Sequence, residues 1–227
     1  MTENNQNFFD AAELVYNPPQ DPLAVLYEDA EIVIVNKPSG LLHVPGKDPR
    51  LFDCLEYRAR KVWPGISIIH RLDLDTSGVV VMGLNKKAHA NVAMQFEKRT
   101  TQKVYIARVW GVMTDDKGHI DLPLCTDWER KPRQKVDFEK GRSAQTDWEV
   151  IEREGNATRV RLFPRTGRTH QLRVHMLSLG HPILGDRFYA EGEALAAAPR
   201  LQLHAAELRF RHPVSGEEYV FTASCPF

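Results

Sequence analysis

Between residues 70 and 78 the chain runs His-Arg-Leu-Asp-Leu-Asp-Thr-Ser-Gly, a short stretch holding an imidazole, a guanidinium, two carboxylates and two hydroxyls. Apolar runs on either side make it a loop feeding a strand, and loops anchored on a core strand hold polar chemistry rigidly. A carboxylate there, Asp73 or Asp75, can serve as nucleophile or base if a neighbour keeps it ionised and oriented. The same residues also suit a capped turn with Arg71 as a structural ion-pair partner, because Asp is favoured in turns. A second polar cluster, Arg-Thr-Gly-Arg-Thr-His-Gln-Leu-Arg-Val-His at residues 165–175, sits at a strand-to-helix junction. Backbone N–H groups at a helix start, with Arg168 beside them, favour a carboxylate or phosphate. A solvated basic helix start fits equally well. Arg173 falls beyond one helical turn from Arg168, so the two need not serve one anion. Tyr105 on a strand face reads as core packing or as a ring offered to a ligand. His170 and His175 lie five apart, off a common helical face, and no metal site is expected.

Those side chains need a scaffold, and the apolar pattern supplies one. Residues 24–40 hold two β-rich runs around Glu28-Asp29-Ala30, a hairpin signal. Leu51, Leu55, Ala59 and Val62 recur at helical spacing, as do Ala88, Val92 and Phe96. Residues 79–84 form a short apolar run suited to a buried strand. In residues 103–110, Lys103, Tyr105, Ala107 and Val109 share one strand face. Residues 114–142 are charged and weakly periodic, and read as an insertion. Residues 146–164 read as two strands around Gly155-Asn156, followed by a helix with Thr169 as N-cap and Gly180 and Pro182 beyond its end. A last hairpin turns at residues 213–216. Strands come as hairpins and helices singly between them, which predicts an α+β fold: a largely antiparallel mixed sheet flanked by helices and loops.

Composition narrows the class. With 227 residues, 42% of them hydrophobic, the chain suffices for one domain over 21–227, preceded by a polar, flexible arm at 1–20. No apolar run spans a bilayer and the start lacks a signal-peptide layout, so a cytoplasmic protein without membrane association is expected. Cys54, Cys125 and Cys225 are scattered, which argues for a reducing compartment and against a disulfide frame. Net charge is zero, so a nucleic-acid partner would be held by local patches. One such patch is residues 128–142, with six cations, Arg133 and Lys135 among them, against three carboxylates. It fits a solvated face as well as a phosphate grip.

In combination these segments resemble a known family. HRLDLDTSG before an apolar strand is similar to the central motif of the RluA family of pseudouridine synthases, whose aspartate is catalytic. In the same chain order, NKPSGLLHVPG resembles the first family motif, QKVYIARVWG the strand with the active-site tyrosine, and RTGRTHQLRVHMLSLGHPILGDRFY the motif with the basic partner. The resemblance runs from about Tyr16 to the C-terminus, with no appended S4-like domain. Leu74 departs from the pattern, since many members carry a basic residue between the two aspartates.

The resemblance implies a pseudouridine synthase fold and isomerisation of uridine in RNA by Asp73 with no cofactor or metal. An Arg within ~4–6 Å would lower the Asp pKa by roughly 1–3 units, and Arg168 is the expected partner. Tyr105 would stack on uracil and assist proton removal from carbon 5. RNA contacts are expected from His70, Arg71, Arg165, Arg173, Arg133 and Lys135. The part of the family resembled most implies hairpin-loop substrates in 23S ribosomal RNA and in tRNA anticodon stem-loops, modified by a monomer. A synthase for one RNA class is the alternative. A non-catalytic RNA-binding module is disfavoured by Asp73 and Asp75, which would repel phosphates. A nuclease using His70 lacks the second histidine or metal-binding carboxylates.

Overall fold

The structure, a computed structural model, describes residues 15–227. The expected arm therefore lies outside the described residues up to residue 14. Its remainder is fastened: the Tyr16 hydroxyl donates to Asp53 O at 2.7 Å and accepts from Leu42 N at 3.0 Å, and Pro18 is buried.

Strands β1 (Ala24–Glu28) and β2 (Ile32–Lys37) form the first hairpin, closed by Asp29, whose carboxylate accepts from Glu31 N and Ile32 N. Helix α1 (Leu55–Val62) buries Leu55 and Ala59. Val62, expected on that stripe, is exposed, and Trp63 leaves the helix to pack there instead. Strand β3 (Ser67–Ile68) lies beside β4 (Ser77–Gly83), which is buried along its whole length. Helix α2 (Lys86–Glu97) starts at Asn85, whose side chain accepts from Ala88 N. Then come β5 (Gln102–Trp110), β6 (Lys117–Asp121), β7 (Leu124–Thr126), β8 (Gln134–Val136), β9 (Gln145–Glu154) and β10 (Ala157–Pro164). Helices α3 (Gln171–Ser178) and α4 (Gly192–Ala196) precede the final hairpin, β11 (Leu203–Arg211) and β12 (Glu218–Thr222).

Among the described residues the main sheet has ten strands in the order β1-β2-β4-β11-β5-β10-β9-β6, with β12 on β11 and β3 on β4. All its pairings are antiparallel except β4 with β11. Both faces of its centre are covered, which explains the unbroken apolar text of β2 and β4. Val33, Val35, Val80 and Met82 pack toward α1, while Ile32, Ile34, Val79 and Val81 pack toward α2. Each such side chain contributes about 1.5–3 kcal/mol on burial. Among the described residues no helix is long and apolar enough to cross a membrane.

Two local expectations need correction. Residues 114–142 are no loose insertion: β6 extends the sheet beside β9, and β7–β8 is a separate hairpin. Its three-residue strands and half-exposed edge hid any periodicity. Helix α3 is not capped by Thr169, which is exposed. The helix begins after His170 in a left-handed conformation, φ 53°. No side chain caps its first N–H groups; the Gln171 side-chain Oε1 instead accepts from Arg168 N at 2.9 Å and from the Thr166 hydroxyl at 2.8 Å, pinning the turn that leads into the helix.

Candidate active site

The loop carrying Asp73 is tied down at nearly every residue by the segment after β2. Leu72 N donates to His43 Nδ1 at 3.1 Å, Gly40 N donates to Leu74 O at 3.0 Å, and Ser39 Oγ donates to Asp75 O at 2.7 Å. Lys37, fully buried, spends its three ammonium hydrogens on Pro38 O, Leu41 O and Leu74 O at 2.7–3.0 Å. Burial lowers its pKa to about 7, against the pull of Asp75 and Asp73. Gly78 ends the loop at φ 119°, where an added Cβ would overlap the Ala205 backbone. Only glycine lets β4 approach β11 there and aim the loop. Asp75, the motif's other carboxylate, faces away into an ion pair with Arg187 at 3.1 Å.

Asp73 thus sits at the floor of a cleft of about 750 Å³, within the range of ligand pockets. Its cation is Arg173, with Nη1 3.6 Å from Asp73 Oδ2. Arg173 is itself held in a fork by Asp186, Nε at 2.7 Å and Nη2 at 2.6 Å, with both residues buried. One guanidinium therefore serves two carboxylates. Burial pushes the Asp73 carboxyl above its usual range, Arg173 and Lys37 oppose that, and the Asp186 charge adds to it. Tyr105 on β5 packs between two core clusters at the floor. Burial, then the Asp73 charge, raise its phenol pKa well above the ordinary value.

The rim is of opposite character. Arg71, Arg99, Lys103, Arg142, Arg165 and Arg168 line the cleft, and Glu97 is the one carboxylate to join Asp73 in the lining. These cations repel one another. Burial and Arg99 lower Lys103 to about 8, and burial, Arg142 and Arg99 lower Arg168. A patch that strains its own protonation is built to receive an anion.

The structure brings together most of the residues singled out from the sequence, but reassigns two. Arg168 is not the partner of Asp73: its Nε donates to Ser143 O at 3.1 Å on the rim. Arg173, expected to touch RNA, is buried and fills that place, because the helix turns it inward while Arg168 precedes the helix. His70 lines the cleft, but its ring stacks on Phe96 at 4.6 Å and its Nε2 accepts from Val81 N, so burial lowers its pKa to about 3. Arg165 is exposed and paired with Asp147 at 2.5 Å. Arg133 packs over the Tyr189 ring at 5.2 Å and Lys135 is exposed on β8, and neither lines the cleft. Lys37, Asp186, Lys103 and Arg99 went unnoticed as site residues. Asp186 lay within a motif segment, GDRFY, and no spacing rule linked it to Arg173 thirteen residues earlier.

Comparison with known proteins follows the same lines. The model of the RNA pseudouridylate synthase family matches residues 31–178. The chain is 52% identical over 214 residues to the dual-specificity RNA pseudouridine synthase RluA of Escherichia coli K12, covering 93% of this chain and 98% of that one. It is 50% identical over 213 residues to the protein of the same description from Vibrio cholerae, covering 93% and 87%. Among solved structures, human RNA pseudouridylate synthase domain containing 1 superposes with a TM-score of 0.76 at 30% identity, covering 90% of this chain and 84% of that one.

Proposed function

The chain belongs to the RNA pseudouridylate synthase family, and on that premise we propose that this RNA pseudouridine synthase has dual specificity, with Asp73 as its catalytic carboxylate. The observation that carries the assignment is a single carboxylate on the floor of a cleft whose rim is otherwise almost wholly cationic. Phosphates bind such a rim, and a lone acid beneath them has no role in phosphate binding. The substrates are hairpin loops of large-subunit ribosomal RNA and of tRNA anticodon stems. Loops suit the cleft because turning a uridine out of its stack costs a few kcal/mol, least where pairing is absent. The enzyme acts as a monomer in the cytoplasm.

The isomerisation breaks the bond from ribose to uracil nitrogen 1, rotates the base and rejoins it through carbon 5; carbon 5 gives up its proton and the freed nitrogen 1 gains one. Atoms and electrons balance with no co-reactant. Attack on the sugar, attack on the base, and removal of a sugar proton all begin from an ionised Asp73. Arg173 and Lys37 favour that form against burial. Tyr105 keeps its phenol hydrogen at neutral pH, so its part is to stack its ring on uracil and offer a hydroxyl, rather than to act as a phenolate base. Arg71, exposed beside Asp73, fills the space the uridine leaves.

The test uses transcripts of both RNA classes labelled with tritium at uridine carbon 5. Tritium release by the wild type and none by Asp73→Asn is expected on both. Strand scission, or release undiminished in the variant, would refute the assignment. Arg71→Ala should slow single-turnover conversion, and an unchanged rate and affinity would dismiss its role.

A further inference from the structure

His170 adopts φ 53°, a left-handed conformation that costs a non-glycine residue energy and persists where the surroundings over-determine it. Its buried ring stacks 5.7 Å from Phe188 and brings Nε2 to 4.0 Å from Asp73 Oδ2. At its other edge, Nδ1 meets the Tyr189 hydroxyl at 2.7 Å. That hydroxyl accepts the backbone N–H of Gln134, on β8, at 2.8 Å. A backbone N–H can only donate, so the phenol's own hydrogen must find an acceptor, and of its two partners only Nδ1 can take it. The reverse arrangement, with Nδ1–H donating, would strand the phenol hydrogen in the interior, which folded proteins avoid. A neutral imidazole accepting at Nδ1 carries its hydrogen on Nε2, the edge facing Asp73.

We propose that His170 is a positioning residue for Asp73: Tyr189 fixes its tautomer, so that an uncharged Nε2–H faces the carboxylate and closes to hydrogen-bond length when uridine fills the cleft. At 4.0 Å the contact is too long for a hydrogen bond, and catalytic contacts commonly tighten only in the complex. The charged groups around the ring are Arg173 on α3, Asp186 and Arg187 on the following loop, and Asp73 opposite, with Arg133 beyond Tyr189. Burial, then Arg173, hold the imidazole down to about 3, while burial pushes the Tyr189 phenol up to about 12. Both groups stay neutral at working pH. The donor thus supports the ionised carboxylate without a second titrating charge.

The proposal rests on Asp73 being the catalytic group, and its test separates the two. In wild-type protein labelled with ¹⁵N-histidine, His170 is assigned by the signal lost in His170→Asn, since Asn tolerates the left-handed backbone. Nδ1 should appear as a pyridine-type nitrogen and Nε2 as a pyrrole-type one, with no titration between about pH 5.5 and 8. The reverse pattern, or protonation in that range, overturns the proposal whatever the activity. In Tyr189→Phe, which keeps the ring, single-turnover pseudouridine formation should fall about tenfold. RNA affinity should stay unchanged, and the acid limb of the pH–rate profile should move up, because the donor that favours the carboxylate is no longer fixed. A folded Tyr189→Phe with wild-type rate and acid limb also sinks it. Absence of pseudouridine from the wild type would instead refute the assignment of the preceding section, leaving the tautomer to be decided by the nitrogen shifts.

Discussion

Arg173 and Arg168 are five residues apart and chemically identical, yet they belong to two regions run on opposite principles. On the cleft floor Arg173 is buried, shared between Asp73 and Asp186, and every charge has a counter-charge within a few ångströms. On the rim the Arg168 guanidinium donates to the Ser143 carbonyl, pairs with no carboxylate among the described residues, and is repelled by its neighbours Arg142 and Arg99. The floor is complete in itself and fixes one group in one state. The rim is incomplete until an anion arrives. Single substitutions should therefore be severe and specific on the floor, graded and salt-dependent on the rim.

The largest expected effect is that of Asp73→Asn, which should reduce pseudouridine formation to the no-enzyme level while leaving RNA binding intact. Its stability should move the other way. The folded-state pKa of Asp73 is raised, so the fold favours the protonated acid and the ionised carboxylate costs stability at neutral pH. The variant should melt no lower than wild type at pH 7, and a clear fall in melting temperature would contradict this reading of the floor.

Next in size is Asp186→Asn. It leaves Arg173 without its main partner in the interior, and breaking a buried pair costs about 3–5 kcal/mol. Denaturant unfolding measures it. A loss under about 1 kcal/mol, the scale of a surface pair, would erase the distinction between floor and rim.

The two regions should also separate on the pH axis. On the proposed mechanism the active form of Asp73 is the carboxylate; its pKa is raised, so single-turnover rate should begin to fall with decreasing pH above the ordinary carboxylate range. Lys103 titrates near 8 in the free protein, so RNA affinity should weaken as pH rises through that value. Rate and affinity with a shared pH midpoint would argue against two regions. Lys103→Arg, charged throughout, should abolish the alkaline loss of affinity.

The smallest effects belong to single rim arginines. Arg168→Ala should reduce the slope of log affinity against log salt by ~0.7 if its phosphate lies in a single strand. Arg165→Ala should do less, because Arg165 already pairs with Asp147. Equal or absent changes in slope would show that the rim does not discriminate between its members.

Much of this was legible in the amino-acid order. The apolar runs of β2 and β4 announced buried strands, Gly155 and residues 213–216 marked hairpins, and the polar loop at 70–78 stood out as a candidate site held between them. These features are local, set by side-chain period and turn chemistry over a few residues. The sequence by itself therefore determined where the candidate carboxylates, Asp73 and Asp75, would stand, and that a strand would hold them in place.

Only the tertiary structure decided which cation stands beside Asp73. Helix α3 starts one residue later than its cap signals suggest, with the Gln171 side chain tying down the turn before it and His170 turned left-handed. That shift aims Arg173 inward and leaves Arg168 outside. The partners that complete the floor, Asp186, Lys37, His170 and Tyr189, converge from segments far apart in the chain. Such convergence leaves no periodic trace in the sequence, because charge pairing across a fold depends on distance in space and burial, neither of which any run of neighbouring residues encodes.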